Sequence, residues 1–235
     1  MTTRKKVDEI STMSNLLTRN ERFQSSIYLV SKRLPYGLAT DAYTKYADDF
    51  SLIWSNENTM KVYGGEPISG KRTERYLRTS ANLVSIRKKS CAAPVEVYKV
   101  FYPDLWGDTS DKRWLGGTFS DVILGKPGEV CTEKYHSVFP SKDEETAKKA
   151  SKYLLSRFLR AIISGEKTSS HTPQSAFKNV PVQDFHEDFW NSDDIDYIDE
   201  CLFDKYGVPE YIREFIRKNI QRRTIDNIEN YHTVK

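Results

Sequence analysis

Apolar positions recur with helical spacing in the second half of the chain, whereas before residue 140 they come in short runs. Ala147, Ala150, Leu154, Phe158 and Ile162 fall three or four residues apart, the stripe of a single helix predicted from Ser141 to about Gly165. Ser141 followed by Glu144 reads as a capping box at its start. Ile195, Ile198 and Leu202 predict a second helix, capped by Ser192 and stopped at Gly207. Ile212, Phe215, Ile216 and Ile220 predict a third, from Pro209 to about Arg223. Upstream, residues 26–30, 50–54, 60–63, 95–102, 118–124 and 129–139 read as strands, bounded by Gly, Pro and Asn. Strands first and helices afterwards predict an α+β fold: a mostly antiparallel sheet with long loops followed by a C-terminal group of three helices. Residues 1–24 read as a polar lead-in or linker, 25–223 as one domain and 224–235 as a polar tail.

Composition narrows the classes. Of 235 residues 38% are apolar, a low share, yet aromatics reach 12% and supply the bulk for a core. No run of eighteen apolar residues exists for a spanning helix, and the N-terminal segment lacks the apolar stretch of a signal peptide. Cys91, Cys131 and Cys201 stand at least forty residues apart, which argues against a disulfide scaffold and against CxxC zinc chemistry. A cytoplasmic protein with no membrane partner is expected.

The net charge of +3 conceals segregation. Residues 61–89 hold eight Lys/Arg against Glu66 and Glu74, residues 184–204 hold nine Asp/Glu and no Lys/Arg, and residues 211–223 hold five basic residues against Glu214. Such blocks are either solvated faces or a field that selects a polyanion. The acidic block has a further reading, a surface that docks a basic protein partner.

Several chemistries lack their residues. No G-x-G occurs, no P-loop, no G-x-S-x-G, and no adjacent prolines that could form the adenine-gripping loop of an aminomethyltransferase. No lysine follows an Asp or Glu by two positions, as a metal-dependent nuclease site usually requires. His136, His171, His186 and His232 show no metal-ligand spacing. Asp104, Asp108 and Asp121 could form an unorthodox carboxylate site, although Asp104 also reads simply as the loop residue that ends a strand.

Six stretches in order carry a resemblance: Ser31-Lys-Arg-Leu-Pro-Tyr-Gly-Leu-Ala-Thr40, Val97-Tyr-Lys-Val-Phe101, Leu124-Gly-Lys-Pro-Gly-Glu-Val-Cys-Thr-Glu-Lys-Tyr135, the helix within 148–163, Phe177-Lys-Asn-Val-Pro-Val-Gln-Asp-Phe185, and the acidic run from Asp194 to Gly207. Together they resemble the C-terminal target-recognition region of adenine-specific methylases of restriction–modification systems, over residues 25–220. The resemblance implies a double-stranded DNA-binding specificity domain without its own catalytic centre. It would direct adenine methylation or restriction by an associated methyltransferase or restriction subunit or domain. S-adenosylmethionine and Mg2+ would enter only through that partner. The alternative is a restriction endonuclease using the three aspartates named above.

Within that reading, Arg33, Tyr36, Arg72, Arg75 and Arg78 are candidates for base readout, since a guanidinium can fork onto guanine. Lys32, Arg87, Lys88 and Lys89 are candidates for phosphate contact. Pro35 and Gly37 set a tight turn that would display Lys32, Arg33 and Tyr36. Cys131, Thr132, Glu133, Pro181, Gln183 and Asp184 belong to the motifs as structural residues, the last two satisfying loop amides. Ordinary surface arginines on a loop-rich sheet remain the competing reading of 61–89.

Overall fold

In the computed structural model the described residues are 2–40, 50–51, 59–64, 75–78, 93–105, 121–167 and 170–231. They form helix α1 (Thr2–Thr18) and strands β1 (Phe50–Ser51), β2 (Thr59–Tyr63), β3 (Arg75–Arg78), β4 (Tyr98–Pro103), β5 (Val122–Gly125), β6 (Val130–Cys131) and β7 (Tyr135–Ser141). Helices α2 (Glu144–Leu155), α3 (Arg157–Glu166), α4 (Ile195–Lys205) and α5 (Glu210–Asn219) follow, and β8 (Ile228–Glu229) closes the series. The strands make two sheets, ordered β1-β3-β2-β6 and β7-β4-β5-β8. Pairing is antiparallel except for β2 with β6 and β5 with β8. The fold is α+β, as predicted, with two sheets in place of one.

Period-two alternation along β4 and β5 holds the layers together. Val100, Tyr102, Val122 and Leu124 join the larger core, which the helices build. Phe101 and Ile123 point the other way, into a smaller core with Tyr36, Val62, Val130 and Cys131. Gly125 lies opposite Lys99 in the β4–β5 ladder, and a Cβ there would come within 2.6 Å of the Phe101 ring. Gly125→Ala is therefore expected to destabilise by about 1–2 kcal/mol through overpacking, measured by urea unfolding. An unchanged midpoint would mean that the ring moves aside without cost.

Several elements differ from the sequence reading, each for a physical reason. Residues 26–29 form a 3-10 turn rather than a strand, because Ser25 caps it by accepting from Ile27 N. The supposed lead-in is helix α1, whose Ile10, Met13 and Leu17 are buried against the larger core. The supposed tail contains β8, and its Ile228 is buried opposite Val122. Glu129–Phe139 divides into β6 and β7, and Phe139 takes φ +50°. Residues 118–120 of the predicted strand lie outside the described residues. Helix α2 is capped by Asp143, whose carboxylate accepts from Thr146 N at 2.7 Å; the Ser141 hydroxyl accepts from Asp143 N instead. Asp194 rather than Ser192 caps α4.

The long helix predicted to Gly165 is two helices. Ser156 adopts an extended ψ of 142°, which ends α2 and starts α3, and its hydroxyl accepts from Leu159 N. The N–H groups of Arg157 and Phe158, exposed by the break, donate to the Asp199 carboxylate at 3.0 and 2.8 Å. Arg160 reaches back to the Leu155 and Ser156 carbonyls and across to that of Gln221. Helix α3 ends at Glu166, close to the predicted end. Gly165 lies in its last turn, where a Cβ would meet Ile10 Cγ2 at 2.4 Å, so its smallness lets α1 approach.

Candidate functional site

Residues 30–33 run beside β7 at the edge of the larger sheet. Val30 bridges to Val138; Ser31 N donates to Ser137 O at 2.8 Å, and Ser137 N donates to Ser31 Oγ at 2.9 Å. The chain then turns, with Leu34 at φ +61° and Gly37 at φ +77°, and Gly37 N donates to Leu34 O. Glycine meets that backbone requirement without strain. Tyr36 is fully buried rather than displayed: its ring meets Phe101 edge-on at 6.3 Å and its hydroxyl bonds Ser137 Oγ at 3.3 Å. It anchors the turn and cannot read a base. Lys32 and Arg33 are exposed.

Glu133 ties the same turn from the other side. Its N–H donates to Leu38 O, and its carboxylate accepts from Thr40 and, at 2.9 Å, from Arg33. Thr132 bonds backward to Tyr63 O and Gly64 O, joining β6 to β2. Cys131 is fully buried, and burial pushes its thiol well up. Further along, Ser26 N donates to Val180 O and Val182 N to Gln24 O. Gln183 gives its amide hydrogens to Tyr206, Tyr153 and Pro181 and accepts from Lys205. Asp184 Oδ1 accepts from His186 N, closing a local turn beside buried Pro181 and Trp190. Phe101, Glu133 and Ser137 thus brace the Lys32–Arg33 turn, while Gln183 ties its own loop to α2 and α4.

Below that turn lies a cluster invisible to sequence spacing. Asp104 follows β4, and its two oxygens accept from His136 Nε2 at 2.9 Å and His171 Nδ1 at 2.6 Å. His136 Nδ1 lies 3.1 Å from the Ser31 carbonyl oxygen, which can only accept. Both His136 bonds form together only when both ring nitrogens carry a proton. Burial works to raise the Asp104 carboxyl, but the hydrogen bonds and charge of the two histidines outweigh it and hold the group down at about 2. The His136 ring stacks on Tyr102 at 5.1 Å. Burial also pushes Lys167 down to about 8, against the pull of Asp104. A cleft of about 440 Å3 opens here, its walls including Lys32, Arg33, Asp104, His136, His171 and Gln174.

Other candidates are dispersed. Arg75 and Arg78 lie in β3, paired with Val62 and Thr59 of β2. Arg72, Arg87, Lys88, Lys89 and Asp108 lie outside the described residues. Asp121 accepts from Asn227 at 2.7 Å, while both oxygens of Asp104 are taken by histidines. Among the described residues no group of three or more His, Cys, Asp or Glu is arranged to hold a metal ion. The acidic block is met from within the chain: Asp204, Glu200 and Asp196, four apart along α4, pair with Arg213, Arg217 and Arg222 at 2.6–2.7 Å. Three of its nine acids are thus paired with the basic block 211–223. Among the described residues no helix is long and apolar enough to cross a membrane. No protein-family model matches this chain, and neither does any curated protein.

Proposed function

We propose that this chain is a double-stranded DNA-binding domain that supplies sequence specificity to an associated adenine-methylating or restricting catalytic part. The observation that carries the reading is the turn at 31–40: its buried Tyr36 and braced Glu133 hold two adjacent cations, Lys32 and Arg33, out in solvent. A fold gains nothing in packing from displaying two like charges side by side, whereas replacing condensed counterions on DNA requires it. The stretches 97–101 and 124–135, which resemble target-recognition regions, touch this turn through Phe101 and Glu133, and the basic segment 61–89 supplies further cations. In this reading Lys32 and Arg33 contact the backbone, and base readout falls to the arginines of 72–78.

The test is a gel-shift titration of the full chain on a mixed-sequence duplex at several salt concentrations. Log affinity is expected to fall with log salt at a slope of about −0.9 per phosphate neutralised. Lys32→Ala with Arg33→Ala is expected to weaken binding on all duplexes alike and to make the slope shallower by up to about 2. Absence of binding to any duplex at the lowest salt overturns the proposal.

A further inference from the structure

We infer that the cleft between the basic turn and residues 173–175 is a phosphate site that takes one phosphate of a nucleic-acid backbone; the identity of the occupant rests on the DNA-binding reading above. Three observations lead there. The first is charge. Asp104 is an acid on the cleft wall, and its two oxygens are already engaged by His136 and His171, so the charged groups left facing the space are Lys32 and Arg33.

The second is access. Lys32 is exposed, the Arg33 side chain is 63% exposed and that of His171 47%, so all three can meet a ligand that comes from solvent. Arg33 is paired with Glu133 at 2.9 Å, a pair that a phosphate can join without breaking. The guanidinium also keeps further N–H donors for a second acceptor.

The third is preorganisation. Ser31 is bound to Ser137 through two backbone-linked hydrogen bonds and to His136 through its carbonyl, so the residue that precedes Lys32 is fixed. Asp104 takes His171 Nδ1, which sets the ring so that Nε2 lies on the side away from the carboxylate. Donors fixed before binding lose little entropy when the anion arrives. His171 belongs to none of the sequence motifs.

The experiment has two arms on the full chain. Inorganic phosphate is titrated while the ring nitrogens of His136 and His171 and the amides of Lys32 and Arg33 are followed by NMR. Duplex binding is measured across salt for the wild type, His171→Gln and Lys32→Ala; the last alters only an exposed side chain and so guards against misfolding. Saturable shifts at His171 and the turn, with Lys32→Ala making the salt slope shallower by about 1 and His171→Gln weakening phosphate binding, support the inference. If duplex binds but phosphate shifts nothing and neither variant changes the slope, the inference falls while the DNA-binding reading stands. If phosphate shifts the cleft signals but no duplex binds, the site takes a free phosphate compound and the nucleic-acid assignment falls.

Discussion

Asp199→Ala is expected to lower stability by about 2–3 kcal/mol at pH 5, measured by urea unfolding, because it leaves the part-buried Arg157 N–H and the buried Phe158 N–H without an acceptor at the start of α3. The cost should shrink as pH is raised. Burial pushes the Asp199 carboxyl up to about 7, against the pull of those two N–H donors and of Arg160 and Arg157. With the unfolded group at its ordinary 3.8, the folded state holds a proton that the unfolded state has lost throughout the window between the two values. The contribution of Asp199 is thus complete below about pH 4 and declines as pH rises through 7, so wild type and variant converge toward pH 8. A cost that grows between pH 5 and pH 8 would show instead that the two amide donors dominate and keep the group ionised. Helix α3 depends on this side chain because the break at Ser156 created a helix N-terminus in the interior, where water cannot serve the open amides.

That break also shows what periodicity can and cannot reveal. The stripe from Ala147 to Ile162 is buried as a three-and-four pattern requires, and Gly207 ends α4 at φ +59°, a backbone angle that suits glycine. The interruption at Ser156 leaves no trace in the apolar spacing, because α3 resumes in phase with α2. Its signals are polar: Asp199, more than forty residues on, and Arg160 are buried side chains that satisfy the gap. Helix α1 was legible in principle. Ile10, Met13 and Leu17 have helical spacing, but the surrounding residues are polar, and what covers the stripe comes from 150 residues later, at Gly165. Likewise the isolated pair Ile225 and Ile228 gives too short a pattern to announce β8, which exists because β5 offers an edge for it.

At the site, the turn could be read from Pro35 and Gly37, and the exposed bases from their position within it. Tyr36 could not be assigned, since a tyrosine beside two cations looks the same in sequence whether it faces a ligand or a core; here Phe101 and Ser137 claim it. The histidines were harder still. His136 and His171 are thirty-five residues apart and have no ligand-like spacing, yet β7 and the segment after α3 bring both to Asp104. Reading Asp104 as the residue that ends a strand was right about its backbone. The unusual demand of two histidines on one carboxylate is a tertiary property, carried by the β4–β7 register that sets Tyr102 opposite His136.

Asp104→Ala should show the opposite pH behaviour from Asp199→Ala. At pH 7 the substitution is expected to cost about 3 kcal/mol, since buried His136 loses the carboxylate that its Nε2 engages at 2.9 Å and the Ser31 carbonyl loses a well-held donor. Burial alone would raise this carboxyl, but His136 and His171 hold it at about 2, below its ordinary 3.8. Its contribution is therefore complete above about pH 4 and is lost as pH falls toward 2, where wild type and variant should converge. Unfolding of both proteins across that range tests the sign. The same variant should weaken duplex binding at neutral pH, because Asp104 fixes His136, His136 holds the Ser31 carbonyl, and Ser31 carries Lys32 and Arg33. A variant that loses stability as expected but binds duplex with unchanged affinity and salt slope would separate the two roles. The cluster would then serve the fold alone, and the exposed turn would hold its cations in place through Tyr36 and Glu133.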